Sequence, residues 1–403
     1  MRLFTDLSQA ALDEYFFKEP TTFNKYTPKN ELAYALAATL YMPATRPAIH
    51  QDLINKKHAG LTSVVICLED SIGDLEVEVA ERGLQHSLHK LRQDISRGFI
   101  TLEELPLLFI RIRNKEQLVR LITLFKEEWQ LLTGIVIPKF SSIDGEEMLQ
   151  LVSDLRNSGH ELYAMPILET KEVLFKETRM EELKKLKGIF DKYAHFILNI
   201  RIGATDFCGL LGIRRNTSTS IYDIAVLRDC LADIMNFFQR APNHYLLSGP
   251  VWEHFVSKEK VNLLSNQTEQ IMESSSFMNK LPKEMRGFIA EILLDISNGI
   301  IGKTIIHPTQ ITPVQALNTV TYEEYNDAMD ILNHSNGAHG VMKSASQNKM
   351  NEMKPHYDWA KKIELKSRVY GVLNEQYNTI DFFQQLSHDR RHRAHAGEAK
   401  YQL

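Results

Sequence analysis

The sequence predicts an α/β protein that folds as a (β/α)₈ barrel with a C-terminal helical appendage. About eight short apolar segments, most of them bounded by polar or turn-forming residues, recur over roughly 300 residues. Charged segments with apolar residues at helical spacing follow most of them, as expected for repeated βα units. An open doubly wound sheet is the alternative, but a dinucleotide-binding sheet of that type would carry a G-x-G-x-x-G turn, which the chain lacks.

The predicted strands are bounded by turn-forming and charged residues on both sides. They occupy residues 40–43, 63–70, 105–114, 134–140, 162–168, 196–202, 243–250 and 303–308. Helices are predicted between them from the 3.6-residue period and from Pro and Gly at their ends, at residues 47–60, 76–95, 115–132, 146–159, 171–188, 221–241 and 283–299. Beyond residue 319 we expect only helices, at 322–335 and 358–378, with a loop at 337–349 between them.

These elements divide the chain into four parts. A lead segment (1–31) precedes the barrel (32–319), which contains a polar insertion near residues 257–282. A helical segment (320–380) and a polar, basic tail (381–403) follow. The tail carries histidines that would suit metal or polyanion contact, but a frayed, solvated terminus explains them better.

The composition is that of an ordinary soluble globular protein. The 403 residues are 24% charged and 43% hydrophobic, and the net charge of −4 gives no bias toward nucleic acid or anionic membranes. Three cysteines without zinc-ligand spacing argue against a disulfide framework and are expected to be inert core thiols. The acidic N-terminus lacks the core of a signal peptide, and no apolar run is long enough to span a bilayer. We therefore expect a cytoplasmic protein with no membrane or nucleic-acid partner.

Charged side chains follow successive predicted strands. They are Arg46, Glu69, Asp70, Arg111, Lys139, Glu169, Asp206 and His307. Because the carboxyl ends of barrel strands face one mouth, this set predicts a site for a cation and an anionic substrate. Taken singly, Arg46 could be a surface ion pair, Lys139 a rim lysine and His307 a satisfied core histidine.

Glu169 and Asp206 end two neighbouring strands of one strand–helix–strand unit. Two carboxylates so placed suit Mg²⁺, which takes oxygen ligands and keeps other positions open. The alternative is that each acid lies near a helix N-terminus and favours its dipole. Arg111 would grip a substrate carboxylate bidentately. A cation chelated by an oxo or hydroxy acid is what aldol or Claisen cleavage requires.

Eight segments in order carry a family resemblance over most of the chain. They are LYMPATRP, VVICLEDSI, FIRIRN, GIVIPKFSS, MPILET, GATDFCGLLG, LSGPVWEHF and GKTIIHPTQI. Together they resemble the HpcH/HpaI aldolase and citrate lyase β-subunit family, which includes malyl-CoA lyases. The long lead and the insertion are similar to a divergent branch, the C–C bond lyases associated with tellurite-resistance gene clusters.

The resemblance implies a TIM barrel and a Mg²⁺-dependent carbon–carbon lyase. It implies that Glu169 and Asp206 bind Mg²⁺, that Arg111 holds the substrate's carboxylate and oxo groups, and that Glu69 and Asp70 hold metal-bound waters or orient substrate. The residues expected in catalysis are therefore Arg111, Glu69 and Asp70, and those expected in substrate binding are Arg46, Arg111 and Lys139. The expected partners are a small oxo-acid or acyl-CoA substrate and further copies of the chain, in a trimer or hexamer.

Two positions depart from the family pattern. Met353, beside Glu352, stands where relatives acting on CoA thioesters tend to carry an Asp that reaches a neighbouring subunit's site. Ala44 stands in the turn after the first barrel strand, where a glycine is usual. Two alternative functions therefore stay open: a non-catalytic metal-binding scaffold in a stress-response complex, and a phosphoenolpyruvate-utilising enzyme of the related barrel superfamily.

Overall fold

A closed ring of parallel strands forms the centre of the protein. The computed structural model describes residues 1–242, 244–256, 274–335, 337 and 340–395. Within these residues the strands are β1 (Phe16–Lys18), β2 (Ala38–Pro43), β3 (Ser63–Cys67), β4 (Leu107–Arg111), β5 (Gly134–Ile137), β6 (Tyr163–Leu168), β7 (Ile200–Ile202), β8 (Leu247–Ser248), β9 (Lys303–Ile305), β10 (Val341–Lys343), β11 (Met350–Glu352) and β12 (Val372–Leu373).

Strands β2 to β9 build an eight-stranded parallel barrel. Neighbours in the sheet follow chain order from β2 to β8, and β9 pairs with the other edge of β2. A parallel bridge between Gly249 and Lys303 joins the last two edges. The fold is the predicted (β/α)₈ barrel, in which closure pairs both edges of the sheet.

Helices surround the barrel and fill the segments on either side of it. The α-helices span Gln9–Tyr15, Lys29–Ala35, Ile49–Ile54, Val77–Ser96, Lys115–Leu124, Gly145–Asn157, Lys171–Leu174, Lys176–Lys192, Ala204–Leu210, Ala225–Phe238, Ser274–Lys280, Lys283–Ser297, Ile311–Leu317, Tyr322–His334, Tyr357–Tyr370 and Thr379–His395. The apolar stripe of each barrel helix covers a strand face, so strands such as β3 and β4 are buried along their whole length. None of the helices described here has the length and apolar character needed to cross a membrane.

One helix runs further than its glycine predicts. The segment expected to stop at Gly188 continues to Lys192, and Gly188 adopts no left-handed backbone. The side chain of Phe190 is fully buried, so packing of the next turn outweighs the helix-ending tendency of glycine. By contrast, Gly159 has a φ of 94° just after its helix, as predicted for a helix end.

The C-terminal region is helical, but the prediction that strands end before residue 320 is wrong. Strand β10 lies in the segment expected to be loop (337–349) and forms an antiparallel hairpin with β11, which follows that segment directly. Strand β12 pairs with β1 of the lead segment. This pairing ties the two ends of the chain together. Met353 is 3% exposed and belongs to a small apolar core of this region, together with Ile331 and Ile363. The predicted domain boundaries stay predictions, and most of the predicted insertion (257–273) and the end of the tail (396–403) lie outside the described residues.

Candidate active site

A cavity of about 440 Å³ opens at the carboxyl ends of the barrel strands. Side chains and backbone from nearly every barrel strand line it, and both acidic and basic groups face it. The lining residues include Tyr41, Cys67, Asp70, Arg111, Glu169, Arg201, Gly203, Asp206, Glu253 and Thr304. A barrel of this kind places its chemistry at this face, so the cavity is the candidate active site.

Arg111 is the last residue of β4, and three neighbours fix its guanidinium. Nε donates to the Sγ of Cys67 at 3.2 Å, and Nη2 donates to Oδ2 of Asp70 at 3.2 Å. Nη2 also lies 3.0 Å from Oε2 of Glu69 as an ion pair. The register that sets Cys67 opposite Arg111 explains the first contact. Cys67, expected to be an inert core thiol, therefore helps to orient Arg111.

Glu69 and Asp70 follow β3 as a coupled pair of acids. Burial raises the pKa of the Glu69 carboxyl, whereas the pKa of Asp70 is lowered, because hydrogen bonding to Glu69 and the charges of Arg111 and Lys139 outweigh its burial. The pKa values of the two adjacent carboxyls are therefore shifted in opposite directions. Such a separation is typical of carboxyl pairs that divide acid and base roles.

Lys139 follows β5 and joins the two halves of the site. Its Nζ forms a short contact with Oε1 of Glu69 and lies 3.4 Å from Oδ1 of Asp70. Its backbone adopts a left-handed φ of 47°, unusual for a residue with a side chain. This conformation directs the Lys139 backbone N–H at Glu169, so the strained turn positions both a cation and a hydrogen-bond donor.

Glu169 follows β6 and is only 3% exposed. Its Oε1 accepts the backbone N–H of Lys139 at 2.8 Å, and the helix that follows it has no side-chain cap. Burial, and next the negative charge of Asp206, raise the pKa of the Glu169 carboxyl to about 8. The alternative that Glu169 simply caps a helix is therefore not supported by its contacts.

Asp206 lies in the first turn of the helix Ala204–Leu210, after β7. The helix dipole favours an acid there, but burial and the charge of Asp70 still raise its pKa. Lys139 Nζ is 3.8 Å from Oδ1 of Asp206, too far for a hydrogen bond. Glu169 and Asp206 thus share one corner of the cavity, where the charge of Asp206 raises the pKa of Glu169 and a hydrogen bond to Glu169 lowers the pKa of Asp206.

The donor set of this corner fits a hard divalent cation. Glu169 is buried and Asp206 is half-buried, and burial together with neighbouring acids raises the pKa of both carboxyls. A bound cation would stabilise the ionised form of both groups. Among the described residues, no group of three or more His, Cys, Asp or Glu side chains is arranged as a metal site. Mg²⁺ needs no such cage, because it commonly binds one or two carboxylates and completes its shell with water and substrate.

Arg46, which was predicted to bind substrate, and His307, one of the charged residues expected at the strand ends, do not line the cavity. The Nε and Nη2 of Arg46 pair with Oδ2 of Asp52 at 2.6 Å, as the surface ion-pair alternative supposed. His307 caps the turn after β9, with Nδ1 2.8 Å from Oγ1 of Thr309 and its ring stacked on Phe255. Its contacts are those of a satisfied histidine rather than of a cavity ligand.

Sequence reasoning missed the polar floor of the cavity. Arg201 in the middle of β7 donates from Nη2 to Oγ1 of Thr304 at 2.7 Å, and its guanidinium lies 5.6 Å from the centroid of the Tyr41 ring. Arg201 lies between two isoleucines in β7, Thr304 lies within β9, and Tyr41 lies within β2. Such polar residues within barrel strands, rather than after them, are the signal that could have indicated the floor.

A buried ionic network fixes the wall beside the cavity. Lys303 at the start of β9 lies 3.0 Å from Oε1 of Glu291 and 2.6 Å from Oδ2 of Asp295. Arg215 pairs with Oε2 of Glu291 at 2.8 Å and donates to the carbonyl of Val251, which lines the cavity. Two cations and two acids balance here, so this network has a structural explanation.

Comparisons with known proteins agree with this architecture. Residues 30–372 match the family described as C-C_Bond_Lyase of the TIM-Barrel fold. A citrate lyase from Burkholderia xenovorans shares 15% identity over 86% of this chain and 95% of its own, with a TM-score of 0.54, which supports the fold. The CitE protein from Mycobacterium tuberculosis, in complex with magnesium, acetoacetate and coenzyme A, shares 15% identity over 83% of this chain and 99% of its own, with a TM-score of 0.48. No curated protein matches the chain.

The family match spans the barrel and most of the C-terminal region, and thus covers every strand end described above. It agrees with the C–C lyase family expected from the eight ordered segments. The chain belongs to the C–C bond lyase family of the TIM-barrel fold.

Proposed function

We propose that the protein is a Mg²⁺-dependent lyase that makes or breaks a carbon–carbon bond by an aldol or Claisen reaction. Its substrate would be an oxo acid, a hydroxy acid or an acyl-CoA. The observation that carries the proposal is a pair of carboxylates, the buried Glu169 and the half-buried Asp206, that line the same cavity as the Arg111 guanidinium. This arrangement provides a cation site and an anion site within reach of one small molecule.

Glu169 and Asp206 would hold the cation, with the backbone N–H of Lys139 fixing one carboxylate oxygen of Glu169. Bound Mg²⁺ would act as a Lewis acid on a substrate carbonyl. Arg111 would orient a substrate carboxylate, since its guanidinium is preset by Cys67 and Asp70. Holding a substrate in place this way contributes to catalysis without any covalent step.

Asp70 would accept a proton at the reacting centre, and Glu69 would position the cations beside it. Asp70 lines the cavity and is biased toward the ionised form, so its carboxylate oxygens could accept a proton from a substrate hydroxyl. Glu69 is buried against Lys139 and Arg111, and would keep both cations in position. We accordingly assign Arg111 and Asp70 to substrate contact and Glu69 to positioning.

The finer features suggested by the resemblance belong to the same proposal. They are the use of CoA, the tellurite-resistance branch, the cytoplasmic location and the trimer or hexamer. Met353, at the position of the expected Asp, is buried in the C-terminal core and cannot serve a neighbouring site without unpacking. We therefore favour a free acid over a CoA thioester as substrate. Light scattering of the full chain would test the oligomer, and a monomeric mass would contradict it.

The test combines binding with turnover. Thermal melting with Mg²⁺, alone and with oxaloacetate, pyruvate, glyoxylate, phosphoenolpyruvate or acetyl-CoA, should show a Mg²⁺-dependent stabilisation by an oxo acid. The stabilising compound is then assayed for C–C cleavage or condensation by product analysis. Stabilisation without turnover by any compound would favour the scaffold alternative, and a phosphoenolpyruvate-dependent activity would favour the third alternative.

A further inference from the structure

Arg201 is a fully buried arginine inside the barrel. It lies in the middle of β7, is 1% exposed, and reaches across the interior to Oγ1 of Thr304 on β9 and to the Sδ of Met165 on β6. Barrel interiors are usually filled by branched apolar side chains. A guanidinium at this depth is costly unless something compensates its charge.

No carboxylate supplies that compensation among the residues that the structure describes. The other three arginines buried there pair with acids: Arg111 with Glu69, Arg179 with Asp229, and Arg215 with Glu291. The contacts of Arg201 are with the Thr304 hydroxyl, the Met165 thioether and Tyr41, none of which is a carboxylate, and its Nε makes no hydrogen bond. Burial accordingly lowers its pKa, the direction expected for an uncompensated charge.

The same guanidinium faces the cavity, beside the first anion site. Tyr41 lies between the two arginines, with its ring centroid 5.4 Å from the Arg111 guanidinium carbon and 5.6 Å from that of Arg201. Tyr41, Arg111, Arg201 and Thr304 all line the cavity. Arg111 already has two carboxylate neighbours, whereas Arg201 has none, so the deeper arginine is the stronger unsatisfied anion receptor.

We propose that Arg201, held by Thr304 and Tyr41, binds a second carboxylate of the substrate, so that this lyase acts on a small dicarboxylic oxo or hydroxy acid. The proposal rests on the function proposed above and narrows its substrate class. One carboxylate of the substrate would lie against Arg111 and the cation, and the other at the floor against Arg201. The deep position favours a compact group such as a carboxylate, since Thr304 and Tyr41 close the floor around it.

Binding of matched acids tests this assignment. Calorimetric titration in the presence of Mg²⁺ would compare oxaloacetate with pyruvate and 2-oxoglutarate with 2-oxobutanoate, pairs that differ by one carboxylate. We expect the wild-type protein to bind the better diacid at least about tenfold more tightly than its partner. Arg201→Met should remove this preference while leaving the affinity for the monoacid within about twofold. Three results would overturn the proposal: the wild-type protein shows no preference for the diacid, it binds none of the four acids, or Arg201→Met loses affinity for the diacid and the monoacid equally.

Two further measurements separate a binding role from a structural one. Arg201→Met removes an uncompensated buried charge, so the ligand-free variant should melt at or above the wild-type temperature. Thr304→Val removes the hydroxyl that orients the guanidinium without changing any charge, and should reduce the diacid preference in part. If Arg201→Met melts at a lower temperature and binds neither the diacid nor the monoacid, the role of Arg201 is structural.

The outcome for the lyase function is read separately, from product analysis. A diacid preference that depends on Arg201, without C–C cleavage or condensation, would contradict the lyase function and leave the second carboxylate site in place. Cleavage of a monoacid that is unaffected by Arg201→Met would support the lyase function and contradict the second carboxylate site.

Discussion

Gly203 leaves no space between β7 and the Glu169 carboxylate. A Cβ built at Gly203 would lie 2.0 Å from Oε2 and 2.4 Å from Cβ of Glu169, closer than any real contact. The backbone N–H of Gly203 also donates to the carbonyl of Leu168 at 3.1 Å, which holds the two strand ends together. The glycine of the segment GATDFCGLLG thus allows the two predicted metal-binding acids to approach each other.

Gly203→Ala should therefore displace the Glu169 carboxylate and weaken Mg²⁺ binding. We expect the Mg²⁺ affinity to fall by about 10–100-fold, the range typical of changes to residues that orient a metal ligand without binding the metal themselves. Isothermal titration with Mg²⁺ measures it. Gly209→Ala is the matched control, because nothing lies within 4 Å of a Cβ there, and it should bind Mg²⁺ as the wild type does. Equal affinity in Gly203→Ala would show that Glu169 is not a ligand.

The raised pKa of Glu169, about 8, predicts that Mg²⁺ binding strengthens with pH. The cation needs the ionised carboxylate, so binding below pH 8 must release a proton and its affinity should rise until about pH 8 and then level off. Titrations in buffers of different ionisation enthalpy count that proton. A Mg²⁺ affinity that does not change between about pH 6.5 and about pH 8.5 would contradict the assignment.

The same pKa fixes the sign of a stability effect in the metal-free protein. Between the ordinary pKa of a glutamate, 4.5, and about 8, the folded state keeps a proton on Glu169 that the unfolded state has released. The free energy of unfolding should therefore fall as pH rises through this interval, by at most about 1.4 kcal/mol per pH unit. Glu169→Gln lacks this contribution and should show a flatter profile in denaturant melts. If the free energy of unfolding falls more steeply with pH in Glu169→Gln than in the wild type, the expected direction of the effect is wrong.

Arg111→Lys should impair substrate use while leaving the fold intact. A lysine cannot reproduce the fork that contacts Cys67, Glu69 and Asp70 together. We expect kcat/KM for the active substrate to fall by about 10²-fold, with an unchanged circular dichroism spectrum. Arg46→Lys is the control: Arg46 pairs with Asp52 outside the cavity, so its kinetics should match the wild type. A similar fall of kcat/KM in Arg46→Lys and Arg111→Lys would show that Arg46 contributes to substrate use.

Lys303→Met should destabilise the protein strongly. The variant leaves Glu291 and Asp295 buried with only Arg215 as a compensating cation, and breaking a buried pair typically costs about 3–5 kcal/mol. Chemical denaturation measures the loss. Lys56→Met removes an exposed ion pair with Glu104 and should cost under about 1 kcal/mol. Similar costs for both would mean that the buried network contributes little.

The sequence was sufficient to predict the barrel and most of its mouth. Apolar strands that end in charged residues give a strong signal because the carboxyl ends of parallel strands must meet at one face. In the structure Glu69 forms an ion pair with Arg111, and Glu169 lines the same cavity as Arg111, while the roles predicted for these residues stay predictions. Arg46 does not line this cavity, because a residue three positions beyond its strand can turn outward, and Asp52 on the next helix captured it.

Features that depend on distant contacts were beyond sequence reasoning. The pairing of β1 with β12 joins segments at opposite ends of the chain, and no local pattern specifies it. The hairpin of β10 and β11 is short and largely exposed, so it lacks the apolar alternation that identifies strands. The sequence predicts a strand at residues 196–202 but no role for Arg201 within it. Only the closed barrel shows that the Arg201 side chain points inward, toward Thr304.

Calorimetric titration of Mg²⁺ into the metal-free wild type, Glu169→Gln and Asp206→Asn tests the central claim most directly. Asp74→Asn is the control, because Asp74 is a largely exposed acid paired with Arg113 on a neighbouring loop. We predict one Mg²⁺ site in the wild type and the control, and its loss in both cavity variants. Wild-type affinity in Glu169→Gln and Asp206→Asn would contradict the metal site and, with it, the proposed lyase mechanism.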